Sequence, residues 1–454
     1  MKANARVVGC VATIALTTTL SAQSAATDSA IRSWLTPRVD NGYATGIVAA
    51  HRTGARNSVI AYGGAERSGK PLGVDTFFEI GSITKVFTNI LLADMVIKGE
   101  VALDDPVAKY VPSTVTVPGR NGKSITLLDL ATASSGLPSL PENFKPADVC
   151  NPYADYTVTQ LYAFLTSHTL RRDPGAQYEY SNVGMGLLGH ALALRAGKPY
   201  EALLRERVLE PLGMRDTYIV MSDAQKARCA VPHDVDLDET CAWDLPTLAG
   251  AGALRSTTND MLRFADAVTH RESGPLGKAI TMSIEPRRPT TILGTRIALG
   301  WHVREKDGKQ IVWHNGGTGG FRTFFGFDPA TGASSIVWSN TSAGVDDIGL
   351  RMLDSTTRLR PTPPQVSVAV SAETLRSYVG AYPLTPAFVL TVTESNGRLY
   401  VQATNQPRFR LWARSDTSFA LRVVQASVDF TRGADGAVSV TLNQNGTKAT
   451  AARR

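Results

Sequence analysis

The sequence predicts an α/β protein, an α-β-α sandwich around an antiparallel sheet, followed by a small all-β domain. Three observations carry that expectation. Segments with helical periodicity lie before and after a run of short apolar stretches, "LGWHV", "QIVWHN", "RTFFGFDP" and "ASSIVWSN", separated by turn-like residues. A proline-rich stretch from Arg358 to Leu375 then ends the helical patterns. Beyond it, "FVLTVTESNGRLYVQAT" and "ASVDFTRGADGAVSVTLNQNG" alternate apolar and polar residues about Asn396-Gly397 and Asp435-Gly436, which is a hairpin signature.

Taken in order, the chain opens with Lys2 and Arg6, an apolar run "VVGCVATIALTTTL" and the small residues "SAQSAA". That pattern reads as a signal peptide over 1–26, cleaved between Ala22 and Ala26. Cys10 precedes most of the apolar run, so lipidation is not expected. No later segment holds about 18 uninterrupted apolar residues. The mature chain is therefore expected to be exported, periplasmic or secreted, without a transmembrane segment. Helices are expected over Ser82 to Gly99, "TVTQLYAFLTSH", "VGMGLLGHALALRAG", "YEALLRERVLEPLG" and "TNDMLRFADAV". The domain layout that follows is 27–357, a linker at 358–372, and a β-barrel-like domain at 373–454. The linker's composition predicts few contacts across it.

The composition, 43% hydrophobic and 19% charged, is that of a globular protein. Removing 1–26 lowers the formal charge from +7 to +5, spread thinly and without a run of basic residues, so no nucleic-acid partner is expected. The mature chain keeps Cys150, Cys229 and Cys241. An exported protein has room for one disulfide among them, and Cys229–Cys241, flanking the loop-like "AVPHDVDLDET", is the expected pair.

The stretch "TFFEIGSITKVFTNILLADMV", Thr76 to Val96, places Ser82 and Lys85 three residues apart in an apolar helical segment. On a helix they share a face. A buried ammonium is costly unless paired or partly neutral. One reading is a lysine that snorkels beside a serine N-cap. The other is a nucleophilic serine activated by a lysine of lowered pKa. Three later stretches bear on the choice: "YSN" at Tyr180-Ser181-Asn182 before a helix, "HNGGTGGF" from His314 before a strand, and "ITLLDLATASSGLPSLPENF". Each alone is weak, but the order and spacing are specific.

In that order, "FEIGSITK", "ITLLDLATASSGLP", "YSN", "RVLEPLGMRDTYI" and "HNGGTGGF" resemble the serine penicillin-recognising hydrolases, the class C β-lactamase and DD-peptidase group, over roughly Ile31 to Leu353. The resemblance implies a β-lactamase/DD-peptidase-like fold and an acyl-enzyme serine hydrolase acting on a β-lactam or a D-amino-acid peptide or ester. DD-carboxypeptidase, D-aminopeptidase or esterase activity, or a sensor that acylates without turnover, are the alternatives. It implies Ser82 as nucleophile and Lys85 as the group that accepts or relays its proton. Tyr180 would be a base or relay, and Asn182 would orient the substrate amide. The backbone N–H groups of Ser82 and Gly317 would form the oxyanion hole. Gly316 and Gly317 let substrate lie against the strand.

At the third motif, class C β-lactamases usually carry Lys-Thr-Gly, where this chain has His314-Asn315-Gly316. His314 is expected to meet a substrate carboxylate. An unperturbed imidazole, about a quarter protonated at pH 7, attracts it less than an ammonium. The C-terminal domain resembles the lipocalin-like appendage of peptidase-type members.

Other patterns carry no chemistry here. The "GMGLLG" stretch, with Gly184, Gly186 and Gly189, has the spacing of a dinucleotide fingerprint but follows no apolar strand, so close helix packing is expected. The remaining histidines, His302 among them, show no metal-ligand spacing, and neither metal nor cofactor is expected. Partners are limited to a small-molecule or peptidoglycan-derived substrate.

Overall fold

A computed structural model describes residues 26–454 apart from 272–273, 364–366, 407, 423 and 425. The expected signal peptide, but for its last residue, lies outside the described residues. Eight strands form one antiparallel sheet: β1 (Gly46–Thr53), β2 (Arg56–Gly63), β3 (Arg288–Pro289), β4 (Thr295–Ile297), β5 (His302–Lys306), β6 (Lys309–Gly317), β7 (Arg322–Phe327) and β8 (Ser334–Ser339). Their spatial order is β2-β1-β8-β7-β6-β5-β4-β3. The helices of eight or more residues are α1 (Asp28–Asp40), α2 (Thr84–Ile97), α3 (Val158–Ser167), α4 (Asn182–Ala196), α5 (Thr258–His270), α6 (Pro275–Ile284) and α7 (Asp346–Leu353).

Successive strand residues point to opposite faces, and here both faces are covered. Ile47, Ala49, Phe324 and Val337 join Ile31, Leu35 and Ile348 from α1 and α7 in one cluster. Their neighbours Val48, Ala50, Phe325, Ile336 and Trp338 join the opposite, larger core with α2, α4 and α5. That is why β7 and β8 read as continuous apolar runs instead of alternating ones. Within the larger core, every residue of α2 from Thr84 to Met95 is buried. A lysine on that helix has no route to solvent along its own stem.

The fold class is the expected one, with local differences. Ser82 sits in a single 3₁₀ turn, Gly81–Ile83, and α2 starts at Thr84. Around "GMGLLG" the glycines do serve packing. A Cβ on Gly186 would stand 2.5 Å from Leu248, and one on Gly189 would stand 3.0 Å from the Gly250 backbone.

The C-terminal strands are β9 (Gly380–Thr385), β10 (Phe388–Ser395), β11 (Arg398–Ala403), β12 (Arg408–Ala413), β13 (Ser418–Leu421), β14 (Ala426–Arg432), β15 (Val438–Gln444) and β16 (Thr447–Ala452). They pair in chain order. Tyr382, Leu390, Val392, Phe419, Val428, Phe430 and Val440 fill a separate core. The Arg454 N–H reaches the Ala381 carbonyl at 2.9 Å, so the last strand comes back to the first, as in a barrel. Asn396 and Gly397, at φ 53° and 73°, make the left-handed turn that the sequence signals.

Two expectations are corrected. The disulfide joins Cys150 to Cys241, with Cα atoms 5.4 Å apart, and Cys229 is a free thiol. Cys229 is held elsewhere: its carbonyl accepts the Arg67 N–H, and the N–H of the next residue, Ala230, donates to the Phe77 carbonyl. The loop after it carries Cys241 away to the Lys145–Tyr156 segment. The second correction concerns the linker, whose first residues are not contact-poor. The Arg360 N–H donates to Asp347 at 2.6 Å, and Asn41 Nδ2 donates to the Thr362 carbonyl at 2.6 Å. The barrel itself also grips the larger domain, at Asp236 and Asp238.

Candidate active site

Two glycines bring the serine turn and the third motif together. Gly81 has φ +53°, and a Cβ there would stand 2.7 Å from the Gly317 nitrogen. A Cβ on Gly316 would stand 2.0 Å from the Ile80 carbonyl oxygen. Neither collision involves a flexible side-chain end, so only glycine lets the start of α2 close on the end of β6. Thr323 Oγ1 seals the junction by donating to Ile80 O at 3.0 Å. Ser82 and Gly317 are thereby brought alongside each other.

The second motif is placed by the first turn of α4. Ser181 is the N-cap, accepting the Gly184 N–H at 2.9 Å and donating to the Pro138 carbonyl at 2.6 Å. The Asn182 N–H donates to the Ser139 carbonyl at 3.0 Å. The "TASSGLPSL" segment thus works as a cradle for Tyr180 and Asn182.

These elements converge on Lys85. Its Nζ lies 2.9 Å from Ser82 Oγ, 2.9 Å from Asn182 Oδ1 and 2.6 Å from the Ala251 carbonyl oxygen. The residue is only 2% exposed, with no carboxylate paired to it among the described residues. Burial holds its pKa well below the usual lysine range. The Tyr180 ring lies 4.7 Å from Nζ. Burial raises the Tyr180 pKa, while a hydrogen bond to Ser82 opposes the shift. Of the seven expected site residues, Ser82, Lys85, Tyr180, Asn182, Gly316 and Gly317 occupy this junction.

His314 lies beneath it, its ring centroid 6.3 Å from that of Tyr180. The structure bears on the expected part-protonation of this imidazole. His314 is 2% exposed, and burial, with lesser contributions from His302 and Lys85, pushes its pKa well below the usual value. Its Nδ1 is 2.6 Å from the Asn315 carbonyl, which can only accept, so the proton belongs on Nδ1.

Reasoning from sequence missed His302. It stacks on Trp313 at 4.8 Å, lies 5.2 Å from the His314 ring, and meets the Tyr178 hydroxyl at 3.2 Å through Nε2. Burial lowers its pKa to about 4. The available signal was the repeated Trp-His pair, Trp301-His302 and Trp313-His314, on adjacent strands. Tyr153 and Trp243 were missed too. Tyr153 is hydrogen-bonded to Asn182 and packs on Trp243 at 5.3 Å. The two histidines have no carboxylate or thiolate beside them to complete a metal site, and among the described residues no group of three or more His, Cys, Asp or Glu is placed to hold a metal ion.

A serine in the turn that leads into a helix, a lysine one turn on, a tyrosine and an asparagine at the head of a second helix, and a glycine-rich strand define a serine hydrolase. The family model for β-lactamases matches residues 31–357, and the chain belongs to that family. A second model, a domain of unknown function, matches residues 364–450. The chain is 30% identical over 299 residues to the D-alanyl-D-alanine-carboxypeptidase/endopeptidase AmpH of Escherichia coli K12, covering 61% of this chain and 76% of that one. It is 24% identical to penicillin-binding protein 4* of Bacillus subtilis strain 168, over 87% of this chain and 91% of the other. Among solved structures, a β-lactamase/D-alanine carboxypeptidase from Pseudomonas syringae superposes with a TM-score of 0.64 at 21% identity, covering 73% of this chain and 99% of that one.

Proposed function

We propose that this protein is an exported hydrolase that forms an acyl-enzyme at Ser82 with D-amino-acid peptides, or related esters and β-lactam amides. The hydrogen bonding of Lys85 Nζ carries this reading. Asn182 Oδ1 and Ala251 O are acceptors only, so each takes an N–H from the amine. A neutral amine then has its lone pair left for the Ser82 hydroxyl at 2.9 Å. Burial favours that neutral form.

Lys85 is then the base that takes the Ser82 proton as Oγ bonds to the substrate carbonyl carbon. The negative charge that develops on the carbonyl oxygen falls to the N–H groups of Ser82 and Gly317. As the carbonyl re-forms, the C–N or C–O bond breaks and the leaving group takes up a proton. Tyr180, kept a phenol by burial and hydrogen-bonded to Ser82, is the donor, and Lys85 returns the serine's proton to it. Water repeats the sequence to release the acid.

The names of the relatives supply the substrate classes, a D-alanyl-D-alanine peptide and a β-lactam. A neutral His314 offers no cation to a substrate carboxylate, which favours esters and other uncharged substrates over β-lactams and peptides with a free C-terminal carboxylate. The Cys150–Cys241 disulfide supports an oxidising compartment. The test is a panel of p-nitrophenyl esters, D-Ala-D-Ala peptides and nitrocefin with the wild type and Ser82→Ala. Turnover of esters or peptides that vanishes with Ser82→Ala supports the reading, and turnover that survives rejects it.

A further inference from the structure

The loop from Pro232 to Asp244 forms one wall beside the glycine-rich turn. A Cβ on Gly320 would stand 2.3 Å from Pro232 Cβ, and one on Gly319 would stand 2.6 Å from Trp243 Nε1, so this loop lies directly on the turn. Trp243 is tied inward as well. Its N–H donates to Glu79 Oε1 at 2.8 Å, three residues before Ser82, and its ring packs on Tyr153.

The larger domain holds the start of this loop through His233 and Asn340, and the C-terminal barrel holds its middle. Asp236 is 5% exposed, and both carboxylate oxygens are taken by β12. Oδ2 accepts the Arg410 N–H at 2.9 Å, and Oδ1 accepts the Trp412 Nε1–H at 2.9 Å. Asp238 is ion-paired with Arg398 and accepts the Tyr400 hydroxyl at 3.2 Å, both on β11. The Trp412 ring is itself flanked by the guanidinium groups of Arg410, 3.6 Å away, and Arg422, 3.1 Å away. Arg422 in turn donates to the Gly42 carbonyl at 2.8 Å. A carboxylate this buried is costly unless hydrogen-bond donors satisfy its oxygens. At the other end the loop is fixed by Cys241–Cys150 and by Asn151, which exchanges two hydrogen bonds with Asp244.

We infer that the C-terminal barrel sets the substrate preference of the hydrolase domain by holding the Trp243 wall through Asp236 and Asp238. This rests on the hydrolase reading for its kinetic consequence. Asp236 and Trp412 are positioning residues, since neither touches the Ser82 junction. A wall fixed at both ends limits how a long substrate lies along the glycine-rich turn and matters little to a small ester.

The experiment uses full-length Trp412→Phe and Asp236→Asn. The first removes one donor and keeps an aromatic ring, and the second keeps the shape and removes the charge. Loss of one charge-assisted hydrogen bond is expected to raise KM for a blocked D-Ala-D-Ala peptide about tenfold. Turnover of p-nitrophenyl acetate should stay within about twofold. Hydrogen exchange should quicken in residues 233–245 and 318–321 and nowhere in α2. Faster exchange together with the KM split supports the inference. Unchanged exchange overturns it, and so does an equal loss on peptide and ester. If the wild type turns over neither substrate, the hydrolase reading fails, and exchange alone then decides whether the barrel holds the wall.

Discussion

Lys85 is charged or neutral according to what surrounds it, and the surroundings are nearly all apolar or acceptor-only. Its depressed pKa places the acidic limb of the kcat/KM profile at the pH where Lys85 loses its proton, with activity rising as pH rises. Asn182→Asp puts a carboxylate 2.9 Å from Nζ without changing size. An opposite charge at that distance is expected to move the acidic limb to higher pH by about 1–3 units. A profile that stays in place would remove Lys85 from the proton path. His302 gives a separate test on stability. In the fold its pKa is about 4, against about 6.5 when unfolded, so the unfolded chain binds the proton first. Stability is therefore complete above pH 6.5 and lost as pH falls towards 4, by about 2 kcal/mol at pH 5. His314 shifts the same way and adds to the loss. Urea unfolding at pH 7 and pH 5 should show His302→Phe losing about 2 kcal/mol less between the two than the wild type. Equal losses would mean that His302 is not held neutral.

Among the elements, the disulfide bears most on the site, because it ties the Tyr153 segment to the Trp243 loop. A cross-link between residues 91 apart in sequence is expected to contribute about 4–5 kcal/mol by restricting the unfolded chain. Reduction, or Cys150→Ser, should lower the urea midpoint accordingly and raise KM, while Cys229→Ala should do far less. A Cys229 variant as unstable as Cys150→Ser would contradict the observed pairing. The elements also show what the sequence could disclose. The glycine spacing of "HNGGTGGF" and the helical run around Lys85 were legible because each residue type meets a steric or solvation demand of its own position. The Asn396-Gly397 and Asp435-Gly436 turns were legible for the same reason. Strands β1 and β2 were not read, and they form the sheet's far side because β1 pairs with β8, a contact almost 290 residues away in the chain. The role of His302 depends on β5 lying beside β6, and the Cys150 pairing depends on two loops meeting over the cleft. Such facts belong to tertiary neighbours and leave little local pattern.

At the level of the whole molecule, the barrel's apolar core is separate from the two clusters of the larger domain, and polar contacts join the domains. Cutting after Pro361 is therefore expected to leave a folded hydrolase domain, at the cost of the contacts made by Asp236, Asp238, Asn41 and Gly42. It should keep small-ester turnover within a few-fold and lose affinity for peptides, and kinetics on both substrates will check this. An insoluble or wholly inactive fragment would mean that the barrel belongs to the hydrolase's own fold. The kinetic expectations among these depend on Ser82 being the acylated residue. The direct measurement is peptide mapping by mass spectrometry after exposure to a slowly hydrolysed β-lactam or an activated ester. The expected result is one added acyl group on the peptide carrying Ser82, absent from Ser82→Ala and strongly slowed in Lys85→Met. An adduct on another residue, or undiminished acylation of Ser82→Ala, would contradict the assignment.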